Sequence, residues 1–447
     1  MRMPGRSDPA TVAPSSAPHA HHHGEDPDRV RTPENLRQER KALRLLSLVL
    51  IPLALLTVIG LVSLWPSGPS TASVPGGLSD ATFPEATVLS VETFPCPQSG
   101  VQPDVYGNQE LVDCANAVVE LTSGPEAGQT VSIQIPAEIF SGGVDVGDDL
   151  RLIRTLRPAS DGAGYAFHDF SRTTPLTWLV IAFVLAVVAV ARMRGLRALG
   201  GLVVAFGVVS QFLLPAVLQG KPPLLVGIVA ASAIMLVVLY LSHGFSVRTT
   251  TALVGTLFGL LLTALIGWWA TGAANLHGLG TDEGVRLGQA LGPAAISGIV
   301  MCGIVIAGMG VLNDVTITQS SAVWELHEAA PHMSARELFG RGMRIGRDHI
   351  ASTVYTLAFA YAGAALPTLL LVQLYQRSMS ELIGTDAIAG ELVRTMVGSI
   401  GLVLAIPVTT LVAVLVVKAT GGRVKGRGGP SLTDQEAAPA QLHSNLT

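Results

Sequence analysis

Long, uninterrupted apolar blocks alternate with short polar segments along most of this chain. The first block, Leu45 to Trp65, follows Arg37, Arg40, Lys41 and Arg44. Its 21 residues suffice to cross a bilayer as a helix and exceed the apolar core of a cleaved signal peptide. Seven further blocks predict helical spans at roughly 175–191, 199–218, 223–241, 249–270, 293–312, 350–375 and 395–417. Blocks this continuous do not fit a membrane β-barrel, whose strands alternate over about ten residues. The expected fold class is an α-helical membrane protein of about eight transmembrane helices.

Residues 66–174 break the pattern. Short β-prone runs ("ATVLSVETF", "NAVVELTSG", "QTVSIQIP", "DDLRLIRTL", "YAFHDF") are separated in places by turn signals such as "SGPEAGQ" and "SGGVDVGDD". They predict a small β-rich domain, barrel or sandwich, inserted between the first and second helices. The expected organisation is a disordered cytoplasmic N-terminus over 1–42 and a first transmembrane helix over 43–65. An extracytoplasmic β-rich domain over 66–174, a seven-helix membrane domain over 175–420 and a disordered cytoplasmic tail over 421–447 follow.

Basic residues set the orientation. Arg192, Arg194 and Arg197 follow the second block, and Arg248 precedes the fifth. Arg336, Arg341, Arg344 and Arg347 separate the sixth and seventh, and Lys418, Arg423, Lys425 and Arg427 follow the eighth. With eight spans and the N-terminus inside, all these groups are cytoplasmic, as are both termini.

Composition narrows the class. The chain is 49% hydrophobic and only 13% charged, where soluble domains carry about 25% charged residues. Mean hydropathy is +0.50. The lipid bilayer is therefore the first expected partner. No basic tract with interleaved aromatics points to nucleic acid. Cys96 and Cys114 both fall in the β-rich segment, where an extracytoplasmic location favours a disulfide over two buried free thiols. Cys302, in an apolar block, is expected to be a packing residue. The run His19, His21, His22, His23 reads as a metal-binding tract, as solvated low complexity or as part of an expression tag.

Glycines recur in the fifth block ("GTLFG", Gly255 to Gly259) and in the sixth (Gly298, Gly303, Gly308, Gly310). They predict close helix approach. Thr281 is placed to cap a short amphipathic helix before Pro293.

The densest chemistry lies in "GVLNDVTITQSSAVWELHE", residues 310–328. Asn313, Asp314, Thr316, Thr318, Gln319, Ser320 and Ser321 follow one another almost directly, and the run is expected to end the sixth helix. Asp314, Thr318, Ser321 and Glu325 share one helical face. "PHMSARELFGRGM" predicts a separate short helix, capped by Ser334 with Glu337 and stapled by Met333 and Leu338. The seventh block then opens with Arg347, Asp348, His349 and Thr353. These two polar ends are expected to meet. As a functional site they offer Asp314 and His349 as titratable members of a relay. As a structural one, Arg347 pins Asp314 or Asp348 at the interface. "HEAAPH" spaces His327 and His332 at i, i+5 around a helix-breaking Pro331, which does not suit zinc. No phosphate-binding loop or nucleophile elbow appears, so no enzyme activity, catalytic residue, metal or cofactor is expected.

The two stretches "GVLNDVTITQSSAVWEL" and "GRDHIASTVYTLAFAYAGAALP", with an N-terminal anchor and a β-prone domain ahead of the helices, resemble the bacterial YibE/F family. The resemblance covers roughly residues 43–420. It implies a multi-pass protein of the bacterial cell membrane, and marks Asp314, Thr316, Thr318, Gln319, Arg347, Asp348 and His349 without supplying roles. The leading functional expectation is a secondary transporter or permease for a small solute or ion. The alternative is a non-transporting scaffold or assembly factor, acting as a homo-oligomer or with a cell-envelope partner bound by the ectodomain.

Overall fold

The computed structural model describes residues 33–68, 81–97, 111–156, 163–374, 381 and 383–420. The His19–His23 run and the tail from Gly421 lie outside the described residues.

Helix α1 (Pro33–Ser63) begins ten residues before the boundary read from the sequence, so residues 33–42 are helical. Pro33 opens it, where a missing amide proton costs nothing. Its apolar stretch runs from Leu43.

The β-rich domain follows as β1 (Glu85–Pro97), β2 (Leu111–Leu121), β3 (Thr130–Ile135), a single-turn α2 (Ala137–Phe140), β4 (Asp149–Leu156) and β5 (Ala163–Phe170). They form one antiparallel sheet in the order β3-β2-β1-β4-β5. All five strands fall on the runs read from the sequence. Inward positions alternate with outward ones, so Ala86, Val88, Ala117, Val119, Ile133, Ile135, Leu150 and Leu152 share one core. The edge strands β3 and β5 approach each other, which curls the sheet towards a barrel. Glu126, in the β2–β3 turn, accepts from Arg154 Nη2 of β4 at 2.7 Å and from the Tyr165 hydroxyl of β5, tying the turn to the far side. The Arg154 guanidinium, with Tyr165 behind it, holds the Glu126 carboxyl below its ordinary range. Burial raises the Tyr165 phenol. Cys96 and Cys114 form a disulfide between β1 and β2, with Cα atoms 5.7 Å apart.

The remaining helices form a bundle. They are α3 (Thr173–Val208), a π-turn (Val209–Leu213), α4 (Leu214–Leu218), α5 (Pro223–His243), α6 (Val247–Ala273), α7 (Asp282–Leu291), α8 (Pro293–Ala329), α9 (Ala335–Ala364), α10 (Leu366–Leu374) and α11 (Asp386–Thr420). Local chemistry sets their starts. Ser246, Thr281 and Ser334 each accept an amide hydrogen from the residue three positions on, and Pro293 follows Gly292 at φ 88°.

Among the described residues, six helices are long and apolar enough to cross a membrane by length and composition, which is compatible with a multi-pass membrane protein. The sequence reading gave eight. Two places account for the difference. Residues 173–218 count as one element, although Arg192 (φ 50°, ψ −131°) breaks it sharply. Gly195 then backs onto Val187, and a β-carbon there would stand 2.6 Å from the Val187 carbonyl oxygen. An unbroken helix would hold these residues about 12 Å apart. The other place is α9 and α10, which are interrupted at Ala365 and carry a charged first half.

Two further expectations change. The separate short helix predicted after Met333 is the front of α9, which runs without a break past His349. The Ser334 cap is present, but the Glu337 carboxylate takes Arg341 Nη2 at 2.9 Å. The sixth helix does not stop at the polar run. α8 has 37 residues and continues to Ala329.

The bundle has two distinct ends. At one, Ser320 Oγ donates to the Arg248 carbonyl at 2.9 Å, and Lys418 Nζ donates to the carbonyls of Pro331 and Met333. At the other, Gln219 clasps the chain leaving α1. Its Oε1 accepts from Ser67 N at 3.0 Å, and its Nε2 donates to the Gly68 carbonyl at 2.6 Å. There too Asp386 accepts from Gly280 N at 2.8 Å.

Candidate functional site

The polar run of α8 stays helical because its hydroxyls serve the helix. Thr316 donates to the Leu312 carbonyl and Thr318 to the Asp314 carbonyl, each at 2.8 Å. β-Branched residues lose side-chain freedom in a helix, but a threonine bonded back to the preceding turn satisfies its own polar group.

Helical spacing then divides the run into two faces. The inward face carries Leu312, Thr316, Gln319, Ser320 and Val323, all buried. Thr316 and Thr256 of α6 are hydroxyl to hydroxyl at 2.6 Å. Gln319 Nε2 donates to the Gly342 carbonyl of α9 at 2.9 Å and to Thr410 Oγ1 of α11 at 2.7 Å. Three helices thus meet on one amide. Glycine makes room for it: a β-carbon on Gly346 would lie 2.7 Å from the Ile406 methyl and 3.1 Å from Gln319 Oε1. Thr316 and Gln319 are therefore packing locks.

The other face is open. The Asp314 side chain is 75% exposed, and His349 Nε2 of α9 lies 3.9 Å from its Oδ2. The imidazole must carry a proton for this to be an ion pair. Asn313, one residue back, buries its Oδ1 without a hydrogen-bond partner. Asp314 is six residues from Ser320, about 9 Å along the helix from the basic end. It therefore lies well inside α8, and not at a helix terminus.

The second cluster is only partly drawn in. His349 reaches Asp314. Arg347 and Asp348 are exposed and make no ion pair among the described residues, so the expected Arg347 pin is not formed. Thr353 donates to the His349 carbonyl at 2.9 Å and steadies its own helix. α8 ends at Ala329, so the helix does not carry His327 through to His332. Among the described residues no group of three or more His, Cys, Asp and Glu could hold a metal ion. A shallow apolar groove of about 510 Å³ lies elsewhere, along Val58, Leu61, Val62, Trp65 and Ser67.

One charged residue escaped the sequence reading. Arg394 lies on the second turn-pair of α11, because that helix starts at Asp386 and not near 395. Its Nη1 is 3.6 Å from Glu391 Oε1, and its buried Nε has no hydrogen-bond partner. Its Nη2 is 3.9 Å from where a Gly303 β-carbon would stand on α8. Tyr361 of α9 is within electrostatic reach of both charges. The available signal was a lone arginine flanking an apolar block.

A family model described as YibE/F-like protein matches residues 179–419. The match takes in α3 to α11 and both polar stretches. It begins after the β-rich domain, so that domain and α1 stand outside it, although the resemblance was read from residue 43. No curated protein matches the chain, and no solved structure does.

Proposed function

The chain belongs to the YibE/F-like protein family, and from that premise we propose that it is a secondary transporter for a small solute or ion. The observation that carries this reading is the Asp314–His349 pair. Its inward neighbours Thr316, Gln319 and Ser320 on α8 are consumed by packing, while Asp314 stands with Thr318 on a face that the other helices leave open. An ionisable pair at membrane depth is costly unless it is used. Protonated His349 attracts the Asp314 carboxylate, and loss of the proton releases it. Such a pair can couple proton binding to the passage of a solute along α8. Asp314→Asn is nearly isosteric. It should leave the protein folded and abolish solute flux driven by a pH gradient in proteoliposomes. A variant that loses thermal stability instead assigns the pair to structure.

The topology that goes with this has eight crossings. The break at Arg192 makes residues 173–218 a hairpin of two spans, and α9 with α10 makes the seventh. The basic end of the bundle is then cytoplasmic, both termini with it, and the β-rich domain extracytoplasmic in a bacterial cell membrane. An impermeant thiol reagent applied to intact cells should label Gly142→Cys and spare Glu328→Cys. The reverse pattern inverts the topology.

A second reading is a scaffold whose ectodomain binds a cell-envelope partner. It is favoured by Phe83, Leu89, Leu111 and Val146, which are exposed apolar residues on the β-rich domain. Charge substitutions at Leu111 and Val146 would then abolish co-purification of that partner while leaving flux unchanged.

A further inference from the structure

We propose that Arg394, with Gly303 and Gly398, forms a binding site for a small carboxylate in the half of the bundle away from Asp314. This names a ligand class for the transport reading and rests on it for its role in a path, but binding can be measured without flux.

The argument begins with the geometry of the guanidinium. Arginine presents donors along more than one edge, and a planar carboxylate fits two parallel donors at once. Glu391 takes Nη1, at a loose 3.6 Å. The edge formed by Nε and Nη2 remains. Nε is buried, and among the described residues nothing accepts from it. Leaving a buried donor of a cationic group unmatched is unfavourable, so the arrangement calls for an acceptor.

Space is present at the same place. Nη2 points at Gly303 of α8, where no side chain intervenes. Gly398, one turn along α11, is buried, yet among the described residues a β-carbon on it would meet nothing within 4 Å beyond its own stretch of helix backbone. Protein interiors seldom leave such room. Most buried glycines of this bundle are the opposite: a β-carbon on Gly255 or Gly401 would fall 2.1 Å from a threonine hydroxyl. Those glycines serve helix contact, whereas Gly398 leaves room one turn from Arg394 on the same helix. Tyr361 of α9 is within electrostatic reach of both Arg394 and Glu391.

The site is also set apart from the titratable pair. Gly303 precedes Asp314 by eleven residues on α8, about 16 Å along the helix. One solute could meet a fixed positive charge at one station and a protonation-dependent pair at the other. The fork geometry selects a carboxylate over a halide, since a spherical ion cannot take both donors in parallel.

The test uses the full-length protein in detergent with radiolabelled acetate, and chloride at matched ionic strength as competitor. The wild type should bind acetate saturably, with chloride at least tenfold weaker as a competitor. Arg394→Gln should weaken acetate by about tenfold or more. Arg394→Lys keeps the charge but loses the fork, and should narrow the gap between acetate and chloride. Should Arg394→Gln fail to fold, Gly398→Val fills the gap without touching the charge and should remove acetate binding. Acetate binding that survives either substitution overturns the proposal, as does a wild type that binds acetate no better than chloride. Binding without flux removes only the transport reading. Flux of another solute with no acetate binding removes only this one.

Discussion

The β-rich domain and the helical bundle solve opposite problems. In the β-rich domain the core is wholly apolar, and the strong polar contact, Glu126 with Arg154 and Tyr165, lies at its rim. Among the described residues, every buried polar side chain belongs to a helix: Thr256, Thr263, Thr271, Thr316, Gln319, Ser320, Thr409 and Thr410 are examples. Meanwhile α1 and α3 turn Leu, Val, Ile and Phe outward along their lengths. Water drives apolar groups inward and tolerates charge at the rim. Lipid gives no such drive between helices, so packing relies on small residues and on hydroxyl and amide bonds. The inversion of polarity within one chain matches a lipid environment for the bundle and an aqueous one for the sheet.

This contrast can be tested by the size of the response. The largest is expected in the β-rich domain. Reducing the Cys96–Cys114 bridge should destabilise it by about 2–4 kcal/mol, since a link across a sequence separation of 18 removes loop-closure entropy from the unfolded chain. Hydrogen exchange of β1 and β2 peptides reads this directly. Intact-mass analysis that found both thiols free in the native protein would remove the expectation. The bundle should respond less to its best polar contact. Gln319→Leu should cost about 1–2 kcal/mol by removing the amide that ties α8 to α9 and α11. The midpoint of thermal unfolding in detergent measures it, and an unchanged midpoint would remove Gln319 from the list of locks.

A smaller effect depends on pH. The Glu126 carboxyl is held below its ordinary range by Arg154. Its contribution is complete above the unfolded-state value and is lost as pH falls through the folded-state value. Exchange in β4 and β5 should therefore differ between wild type and Glu126→Gln at neutral pH, and the two should converge in acid. Smallest of all is Asp314→Asn on stability, expected within about 0.5 kcal/mol because the side chain is exposed. A large loss there would move Asp314 into the same class as Gln319.

Much of the architecture was legible. Apolar blocks mark spans because nothing else stabilises a long lipid-facing helix, and the five strands are separated by glycine-rich turns or bounded by changes of periodicity. The length of α8 was not legible. Seven polar residues almost in a row read as a terminus, yet Thr316 and Thr318 bond back within the helix and Gln319 bonds across to α9 and α11. The face that each residue takes was readable from spacing, but its partner was not. Gly255 matters because Thr409 stands against it, 154 residues away in sequence. Arg394 was missed for a related reason. An apolar window drawn from 395 leaves the arginine just outside, whereas the helix that carries it begins at Asp386.

The clasp made by Gln219 has a mechanical meaning. One amide holds the main chain at Ser67 and Gly68 as a strand partner would, donating to one peptide group and accepting from its neighbour. The β-rich domain is suspended from two tethers, the chain leaving α1 and the short Ser171–Arg172 step into α3. With Ser67 and Gly68 fastened to the end of α4, load that reaches this point of the chain is shared between α1 and the α4–α5 turn. Cutting the clasp with Gln219→Ala returns that load to α1 alone.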